Sequence, residues 1–401
     1  MTTGPLAGIT ILDLSRVLSG PYCTMQAADM GARVIKIEHP VRGDDTRAWG
    51  PPFLGTESAY YLSVNRNKES VGVDFKTPEG RAILHGLVAK ADVLVENFRP
   101  GTLDPVGLGY DDLSKTHPSL IYVSISGFGQ NGPRRDEAGY DAVAQAEGGL
   151  MSITGAEDGP AVRLGVAIAD IASGMFAFQG MLAALIARGR TGRGQRVDVS
   201  LLDSVAALLT YQASRYFATG EVPERHGNRH ASIAPYDTFE TADGVLVLAV
   251  GNDSQWQSFC RVVRAPDLGA DARYRTNAGR VEHYAALVSS LQPLVRGWTL
   301  GALVEALRAA GVPCGAVRSI DQALTDPQIT ARAMVETLNH PTIGALKTLG
   351  LPVKLSDTPG RILTAPPRLG EHTRAVLGSD LGMSETEIQR LLDAGVVGPA
   401  V

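Results

Sequence analysis

Residues 9–38 have the sequence ITILDLSRVLSGPYCTMQAADMGARVIKIE, and they indicate the class of fold more directly than any other part of the chain. Their two ends, residues 9–14 and 33–38, are short runs rich in isoleucine and leucine or valine, which is typical of buried strands. Between them, the run from Pro21 to Met30 predicts a helix with Gly31 at its end. A strand, a helix and a second strand in this order form one βαβ unit of a parallel sheet.

The same alternation continues along the chain. Further strands are predicted at residues 70–75, 92–96, 120–126 and 197–200, and helices at residues 79–90, 171–188 and 201–219. Between residues 222 and 317 the pattern changes to that of a smaller α+β unit. The Pro- and Gly-rich residues 341–367 predict a long surface return toward a final helix at residues 384–393. We therefore predict an α/β protein with a doubly wound sheet and a second, smaller domain.

Composition narrows the function classes. The 401 residues are 44% hydrophobic and 20% charged, which suits a large core and more than one domain. The formal net charge of −5, with scattered Lys and Arg, argues against nucleic acid as a partner. The uncharged stretch around Asp170 also contains a Gln, a Ser and several Gly, so a buried helix is favoured over a membrane span. The N-terminus lacks the features of a signal peptide, and we expect a cytoplasmic protein without a membrane partner.

Neither the cysteines nor the histidines predict a metal site. Cys23, Cys260 and Cys314 are far apart and are expected to be buried, reduced thiols. His226 and His230 are four residues apart, but the Gly-Asn-Arg between them indicates a loop, and no third ligand is near. Residues 127–132 match the dinucleotide fingerprint formally, yet Pro133 follows where an apolar helix should begin.

Asp170 is the only charged residue between Arg163 and Arg188. An ionised carboxylate in such an apolar stretch costs several kcal/mol unless it is capped, paired, protonated or used in chemistry. One interpretation is that Asp170 caps the N-terminus of the helix at residues 171–188. The other is that it is a nucleophile that attacks an activated acyl or glycosyl centre. The two are compatible, because the first N–H groups of a helix help to keep a carboxylate ionised.

Several spaced motifs occur in order along the chain. They are LDLSR at residues 12–16, SGP at 19–21, VIKIE at 34–38, NRNK at 65–68, ENFRPG at 96–101, GYDAVAQAEGG at 139–149, the Asp170 helix followed by TGRGQR at 191–196, and GEHT at 370–373. With these motifs the chain resembles the class III CoA-transferases almost from end to end.

The resemblance implies a fold and a set of partners. It implies a Rossmann-like large domain built from residues 1–220 and 326–401, a small α+β domain at residues 221–325, and a homodimer of two interlocked subunits. It implies acyl-CoA and a small carboxylic acid as substrates, with no tightly bound cofactor and no metal.

The resemblance also implies the chemistry and the site. Asp170 matches the family's nucleophile, which forms a mixed anhydride with the acyl group and then an aspartyl-CoA thioester. CoA is expected along Val17, Leu18, Val73, Lys76, Asn97, Phe98, Arg99, Ala138 and Tyr140, with Lys76 and Arg99 as phosphate partners. His39 stands where an arginine often lies near the adenine, and Leu18 replaces a glutamine of formate- and oxalate-handling members.

Two features bear on the branch of the family. The racemase branch carries Gly-His-Asp where this chain has Gly139-Tyr140-Asp141, and a tyrosine that titrates near pH 10 is a poor base for removing an α-proton. The string from Gly227 to Tyr236 is similar to transferases that use succinyl-CoA and a dicarboxylic acid. The branch that uses succinyl-CoA and a dicarboxylic acid is therefore favoured. A 2-methylacyl-CoA racemase and a formyl-, oxalyl- or carnitine-type transferase remain alternatives.

A dicarboxylic acceptor keeps one free carboxylate after acyl transfer, and arginine is its natural partner. Arg47 is the candidate, with Tyr140 and His230 expected in the same pocket. The alternative for Arg47 is a surface ion pair with Asp44 or Asp45.

Overall fold

A computed structural model describes residues 4–398, and these residues form two compact units. The larger unit comprises residues 4–150, 163–214 and 327–398, and the smaller one Met151–Val162 and Arg215–Asp326. The predicted boundaries at residues 220 and 325 did not assign Met151–Val162 to the smaller unit. Hydrogen bonds explain this assignment, because Gly227 donates its N–H to the Gly155 carbonyl at 3.0 Å and Arg225 donates to the Gly159 carbonyl at 3.1 Å.

A seven-stranded sheet with the order β14-β5-β2-β1-β6-β7-β8 organises the larger unit. Its strands are β1 (Thr10–Asp13), β2 (Arg33–Glu38), β5 (Lys68–Val73), β6 (Val93–Glu96), β7 (Ile121–Ser126), β8 (Arg196–Ser200) and β14 (Val397–Gly398). The pairings are parallel except for β14, which runs antiparallel to β5. The predicted parallel sheet is confirmed, and from β5 to β8 its order is that of a doubly wound dinucleotide-binding fold.

Helices cover both faces of this sheet. The larger unit contains the helices α1 (Ser19–Asp29), α2 (Ala59–Val64), α3 (Pro78–Val88), α4 (Tyr110–Thr116), α5 (Asp141–Glu147), α6 (Ile168–Thr191), α7 (Leu201–Leu208), α15 (Pro327–Ala331), α16 (Thr373–Leu381) and α17 (Glu385–Asp393). Alternate residues of a strand point to opposite faces, so Leu12 and Ile35 belong to one buried cluster and Ile11 and Val34 to another.

The helix α6 is long and apolar enough to cross a membrane by length and composition alone. Its buried face carries Ala169, Ala177, Met181 and Ala184, which belong to the same buried cluster as Ile11 of β1. One face of α6 therefore packs into the core of the larger unit.

The helical run predicted at residues 201–219 is interrupted. It forms α7 and then α8 (Thr210–Thr219), and Thr210 has a φ of 36° at the junction. A positive φ breaks the helical path, and for a β-branched residue it is unusual.

The region of residues 341–367 is only partly the predicted surface return. An antiparallel hairpin, β12 (Val335–His340) and β13 (Gly344–Leu349), precedes it and extends into it. The larger unit also contains the short pair β3 (Phe53–Leu54) and β4 (Glu57–Ser58).

The smaller unit has an antiparallel sheet of order β11-β10-β9. Its strands are β9 (Tyr236–Glu240), β10 (Val245–Ala249) and β11 (Cys314–Ala316), and its helices are α9 (Asp253–Val262), α10 (Pro266–Ala270), α11 (Asn277–Glu282), α12 (Tyr284–Arg296), α13 (Leu300–Ala309) and α14 (Ile320–Leu324). Trp256, Phe239 and Leu303 are among the fully buried residues of its core.

Candidate active site

The loops that follow β1, β6 and β7 line a cavity of about 750 Å³ in the larger unit. The strands β1 and β6 are neighbours at the centre of the sheet, where the strand order reverses. Open α/β sheets bind their ligands at this position, outside the carboxyl ends of the strands. The cavity lining includes Arg16, Val17, Ser19, Arg42, Asp45, Trp49, Asn97, Phe98, Arg99, Gly127, Ala138, Gly139, Tyr140 and Asp170.

Asp170 lies in the first turn of α6, which begins at Ile168. The prediction that Asp170 caps this helix is wrong, because the cap position belongs to Ala167, whose side chain makes no capping bond. Instead, the Asp141 carboxylate of α5 accepts a hydrogen bond of 2.8 Å from the Ala169 N–H. The Asp170 side chain is therefore not occupied by capping and lines the cavity.

Gln145 fixes the segment that leads into α6. Its side-chain amide donates to Asp141 at 2.7 Å, and its carbonyl oxygen accepts from the Leu164 N–H at 3.0 Å. The Gln145 side chain is fully buried, so these bonds are shielded from water. Together, Gln145 and Asp141 hold the backbone before Asp170 at two points.

Burial and, to a smaller extent, the negative charge of Asp141 together raise the pKa of Asp170 to about 7. Burial disfavours the charged form of a carboxylate because the protein interior solvates it less well than water. Within residues 4–398, no side chain or backbone N–H donates a hydrogen bond to the Asp170 carboxylate. The carboxylate is more basic than an ordinary aspartate and is not shielded by protein donors.

Aromatic side chains adjoin this carboxylate. Burial, followed by the negative charge of nearby carboxylates, of which Asp170 has the largest effect, raises the pKa of Tyr60 to about 12. The ring of Tyr60 meets that of Trp49 edge to face, with 5.1 Å between the centroids. Trp49 is in the cavity lining, and Tyr60 supports its ring.

Val17 lies in a strained backbone conformation at the cavity wall. Its φ is 66°, in the left-handed region that a β-branched residue rarely adopts. Such a conformation costs on the order of 1–3 kcal/mol and persists only where the surroundings enforce it.

Two glycines bring two loops of the cavity wall into direct backbone contact. A Cβ atom on Gly139 would lie 2.3 Å from the Cα of Gly127, and a Cβ on Gly127 would lie 2.6 Å from the Cα of Gly139. No side chain fits there, so glycine is required at both positions.

The structure brings together most of the residues predicted to bind CoA. Val17, Asn97, Phe98, Arg99, Ala138 and Tyr140 line the same cavity as Asp170. Four others are not in its lining. Leu18 belongs to a buried apolar cluster with Met25, the side chain of Val73 is in the core, Lys76 is exposed after β5, and His39 accepts hydrogen bonds from the N–H groups of its own turn.

Arg47 is not placed as the sequence suggested. Its guanidinium donates to both carboxylate oxygens of Glu38 at 2.7 Å and to the Tyr61 hydroxyl at 2.6 Å. It therefore neither lines the cavity nor pairs with Asp44 or Asp45. Of the other two residues predicted for this pocket, Tyr140 is in the cavity lining, whereas His230 lies in the smaller unit and stacks on Tyr236 with 5.2 Å between the ring centroids.

Sequence reasoning missed Arg16, Arg42 and Trp49 as cavity residues. Arg16 is the third residue after β1, so the rule that ligands bind at the carboxyl ends of parallel strands was a usable signal. It forms an ion pair of 2.9 Å with Asp45 in which both side chains are about half exposed. Trp49 follows a short turn without any periodic pattern. Among the described residues, no cluster of three His, Cys, Asp or Glu is arranged to hold a metal ion.

Comparisons with known proteins fit this geometry. The sequence pattern described as CoA-transferase family III matches residues 6–373. The chain is 44% identical to succinyl-CoA:glutarate CoA-transferase from Mus musculus, over 98% of this chain and 90% of that protein. It is 43% identical to succinate–glutarate CoA-transferase from Agrobacterium fabrum, over 93% of this chain and 95% of that protein.

The fold leads to the same family. A crystal structure of a CAIB/BAIF family protein from Brucella suis superposes with a TM-score of 0.85 at 40% identity, over 94% of this chain and 99% of that one. With both the sequence pattern and the parallel sheet matched over most of its length, this chain belongs to CoA-transferase family III and is a CoA-transferase.

Proposed function

We propose that the protein moves CoA from succinyl-CoA to a dicarboxylic acid, with Asp170 as the covalent nucleophile. One observation carries the proposal: the Asp170 carboxylate lines a cavity of about 750 Å³ and has a pKa of about 7. A carboxylate that water solvates poorly is a better nucleophile than one at the surface. The donor and the class of acceptor follow the names of the similar transferases from mouse and Agrobacterium fabrum.

The reaction needs no outside energy source. An oxygen of Asp170 attacks the thioester carbon, and the C–S bond breaks to give a mixed anhydride and the CoA thiolate. The thiolate attacks the aspartyl carbon of the anhydride, which releases succinate and leaves an aspartyl-CoA thioester. The acceptor carboxylate then attacks this thioester and forms a second anhydride. The released thiolate attacks the acceptor's acyl carbon, which gives the new acyl-CoA and restores the Asp170 carboxylate.

Three arginines give the cavity its affinity for anions. Arg16, Arg42 and Arg99 are all in the lining, and arginine binds phosphate and carboxylate groups through two parallel hydrogen bonds. The Arg16–Asp45 pair is half exposed, and such pairs contribute roughly 0–1 kcal/mol. Arg16 can therefore exchange Asp45 for a phosphate of CoA or the free carboxylate of the acceptor at little cost.

We propose a homodimer as the working form. Two large aromatic residues of α8 are open to solvent in the single chain, Phe217 at 80% and Tyr216 at 47%. Exposed aromatic residues of this kind mark protein interfaces. Light scattering after gel filtration should give twice the chain mass, and a monomer mass would reject this form.

The function is tested by mass spectrometry of the products formed from succinyl-CoA and a panel of dicarboxylic acids. The acceptor acids carry ¹⁸O in their carboxylates, and peptides of the recovered protein are also analysed. We expect a new acyl-CoA and the transfer of ¹⁸O into Asp170, because the acceptor oxygen attached to the aspartyl carbon stays there when the second anhydride is cleaved. Asp170→Asn should form neither product.

Two results would contradict the proposal. A new acyl-CoA without ¹⁸O in Asp170 would exclude the aspartyl anhydride. Solvent deuterium in a 2-methylacyl-CoA, without any acceptor acid, would indicate a racemase.

A further inference from the structure

Side chains, rather than neighbouring strands, fix the cavity loop of residues 15–17. At its centre, the Arg16 N–H donates to the Asn97 side-chain oxygen at 2.7 Å, and the Asn97 amide donates back to the Arg16 carbonyl at 2.7 Å. The loop after β1 is thereby locked to the loop after β6.

A buried ion pair holds the two residues on either side of Arg16. The Lys36 ammonium group donates to the Ser15 carbonyl and to the Asp44 carboxylate, both at 2.9 Å. The Val17 N–H points at the two oxygens of Asp44, each at 3.3 Å. Asp44 is itself held by the N–H and the hydroxyl of Thr46, at 2.9 and 2.7 Å.

The Lys36 and Asp44 side chains are completely buried. A buried ion pair is often no more stable than apolar side chains of the same volume, because both charges lose their water. Stability alone therefore does not account for this pair. What the pair does contribute is geometry, since it fixes the carbonyl of Ser15 and the N–H of Val17, which is the strained residue itself.

We propose that the Lys36–Asp44 pair is a positioning device that keeps Val17 in its left-handed conformation and so shapes the wall against which CoA binds. The proposal rests on the proposed function only in that CoA occupies this cavity. It does not depend on Asp170 as the nucleophile or on the identity of the acceptor. Neither Lys36 nor Asp44 is in the cavity lining, so the pair acts through the backbone of the loop.

The test removes the pair without leaving an unpaired charge. The double substitution Lys36→Met and Asp44→Asn takes away one charge of each sign, and the neighbouring buried pair of Lys68 and Asp13, 3.2 Å apart, stays balanced. The dissociation constant of the double variant for free CoA, measured by calorimetry, should be about tenfold higher than that of the wild type, which corresponds to roughly 1.4 kcal/mol. Free CoA is the probe because its binding requires no chemistry at Asp170.

Two substitutions of Val17 then separate positioning from a general loss of stability. Val17→Gly and Val17→Ala both truncate the side chain, but only glycine adopts a positive φ without steric cost. Each is made in the wild-type and in the double-substituted background. If the pair enforces the strained backbone, Val17→Gly should recover most of the tenfold loss in the substituted background, and Val17→Ala should not.

A milder variant covers the case in which the double substitution does not fold. Thr46→Val removes the hydroxyl that holds Asp44 and changes no charge. We expect it to weaken CoA binding two- to threefold, again with recovery by Val17→Gly alone. Equal effects of glycine and alanine in these backgrounds, or unchanged CoA affinity in a folded variant without the pair, would overturn the proposal.

Discussion

The raised pKa of Asp170 predicts a steep loss of activity in mildly acidic solution. Only the ionised carboxylate attacks the thioester, and its pKa of about 7 means that it is about nine-tenths ionised at pH 8 and about one per cent ionised at pH 5. The value of kcat/KM for the acyl-CoA donor, which reports groups of the free enzyme, should therefore fall about a hundredfold between these pH values. An aspartate of ordinary pKa would lose less than about a tenth over the same range.

The assay measures initial rates with succinyl-CoA from pH 5 to pH 9, with circular dichroism at each pH to verify that the protein stays folded. The phosphate monoester of CoA also titrates near pH 6, so a matched variant is needed. Asp141→Asn removes the charge that adds to the effect of burial on the pKa of Asp170, and it leaves the substrate unchanged. Its acidic limb should lie at lower pH than that of the wild type. A profile that is flat down to pH 5, or one that Asp141→Asn does not shift, would refute the argument.

Three further predictions concern stability and the cavity wall. Asp170→Asn should make the protein more resistant to urea at pH 8 but not at pH 4, because an acid whose pKa is raised on folding destabilises the folded state above its unfolded pKa. The rise of the Asp170 pKa from 3.8 to about 7 corresponds to at most roughly 4 kcal/mol of unfolding free energy. Equal gains in stability at both pH values would contradict this prediction. Arg47→Ala should lower the free energy of unfolding by about 3–5 kcal/mol, because it removes the ion-pair partner of the buried Glu38 carboxylate. The KM for the acceptor acid, measured in steady-state assays of folded protein, should not change, and a higher KM would mean that Arg47 reaches the substrate. Gly139→Ala should lower kcat/KM at least about tenfold, because the new methyl group collides with the facing backbone of Gly127. The control variant Gly189→Ala, whose methyl group meets no atom within 4 Å, should be as active as the wild type. Equal kcat/KM values for the two variants would show that the two loops can separate.

The parallel sheet was predictable because its signals are local. The strand predicted at residues 33–38 has the bounds of β2, and those predicted at residues 92–96 and 120–126 differ from β6 and β7 by one residue at the start. Buried parallel strands are continuous apolar runs, which a short window of sequence reveals.

The start of α6 could not be predicted in this way. The residue that accepts a hydrogen bond from the first turn of α6, Asp141, is 28 residues away in sequence from the donor, Ala169. Local rules for helix caps search for Ser, Thr, Asp or Asn beside the helix, and they therefore selected Asp170. The same limit applies to Met151–Val162, which the hydrogen bonds of Arg225 and Gly227 join to the smaller unit.

The candidate site was predictable in outline, including Arg99, but Arg16 and Arg42 were not predicted and Arg47 was misplaced. The apolar sequence around Asp170 identified the carboxylate without any structural information. The role of Arg47 depends on Glu38, which lies on β2 and faces it only after the chain has turned. Sequence spacing does not reveal which of several acidic residues an arginine will meet, because this is decided by tertiary packing.

The antiparallel strand β14 has a consequence for synthesis on the ribosome. It covers the side of β5 that faces away from β2, and all residues of the smaller unit precede it in the chain. His372 and Thr373 also hydrogen-bond to Ser70 and Gly72 on this edge. Until these residues and β14 have left the ribosome, β5 is an edge strand with unpaired backbone groups, the kind of surface that other nascent chains can join. Closing the sheet is therefore one of the last events in the folding of the larger unit, and slow elongation before these codons would prolong the interval in which this edge is exposed.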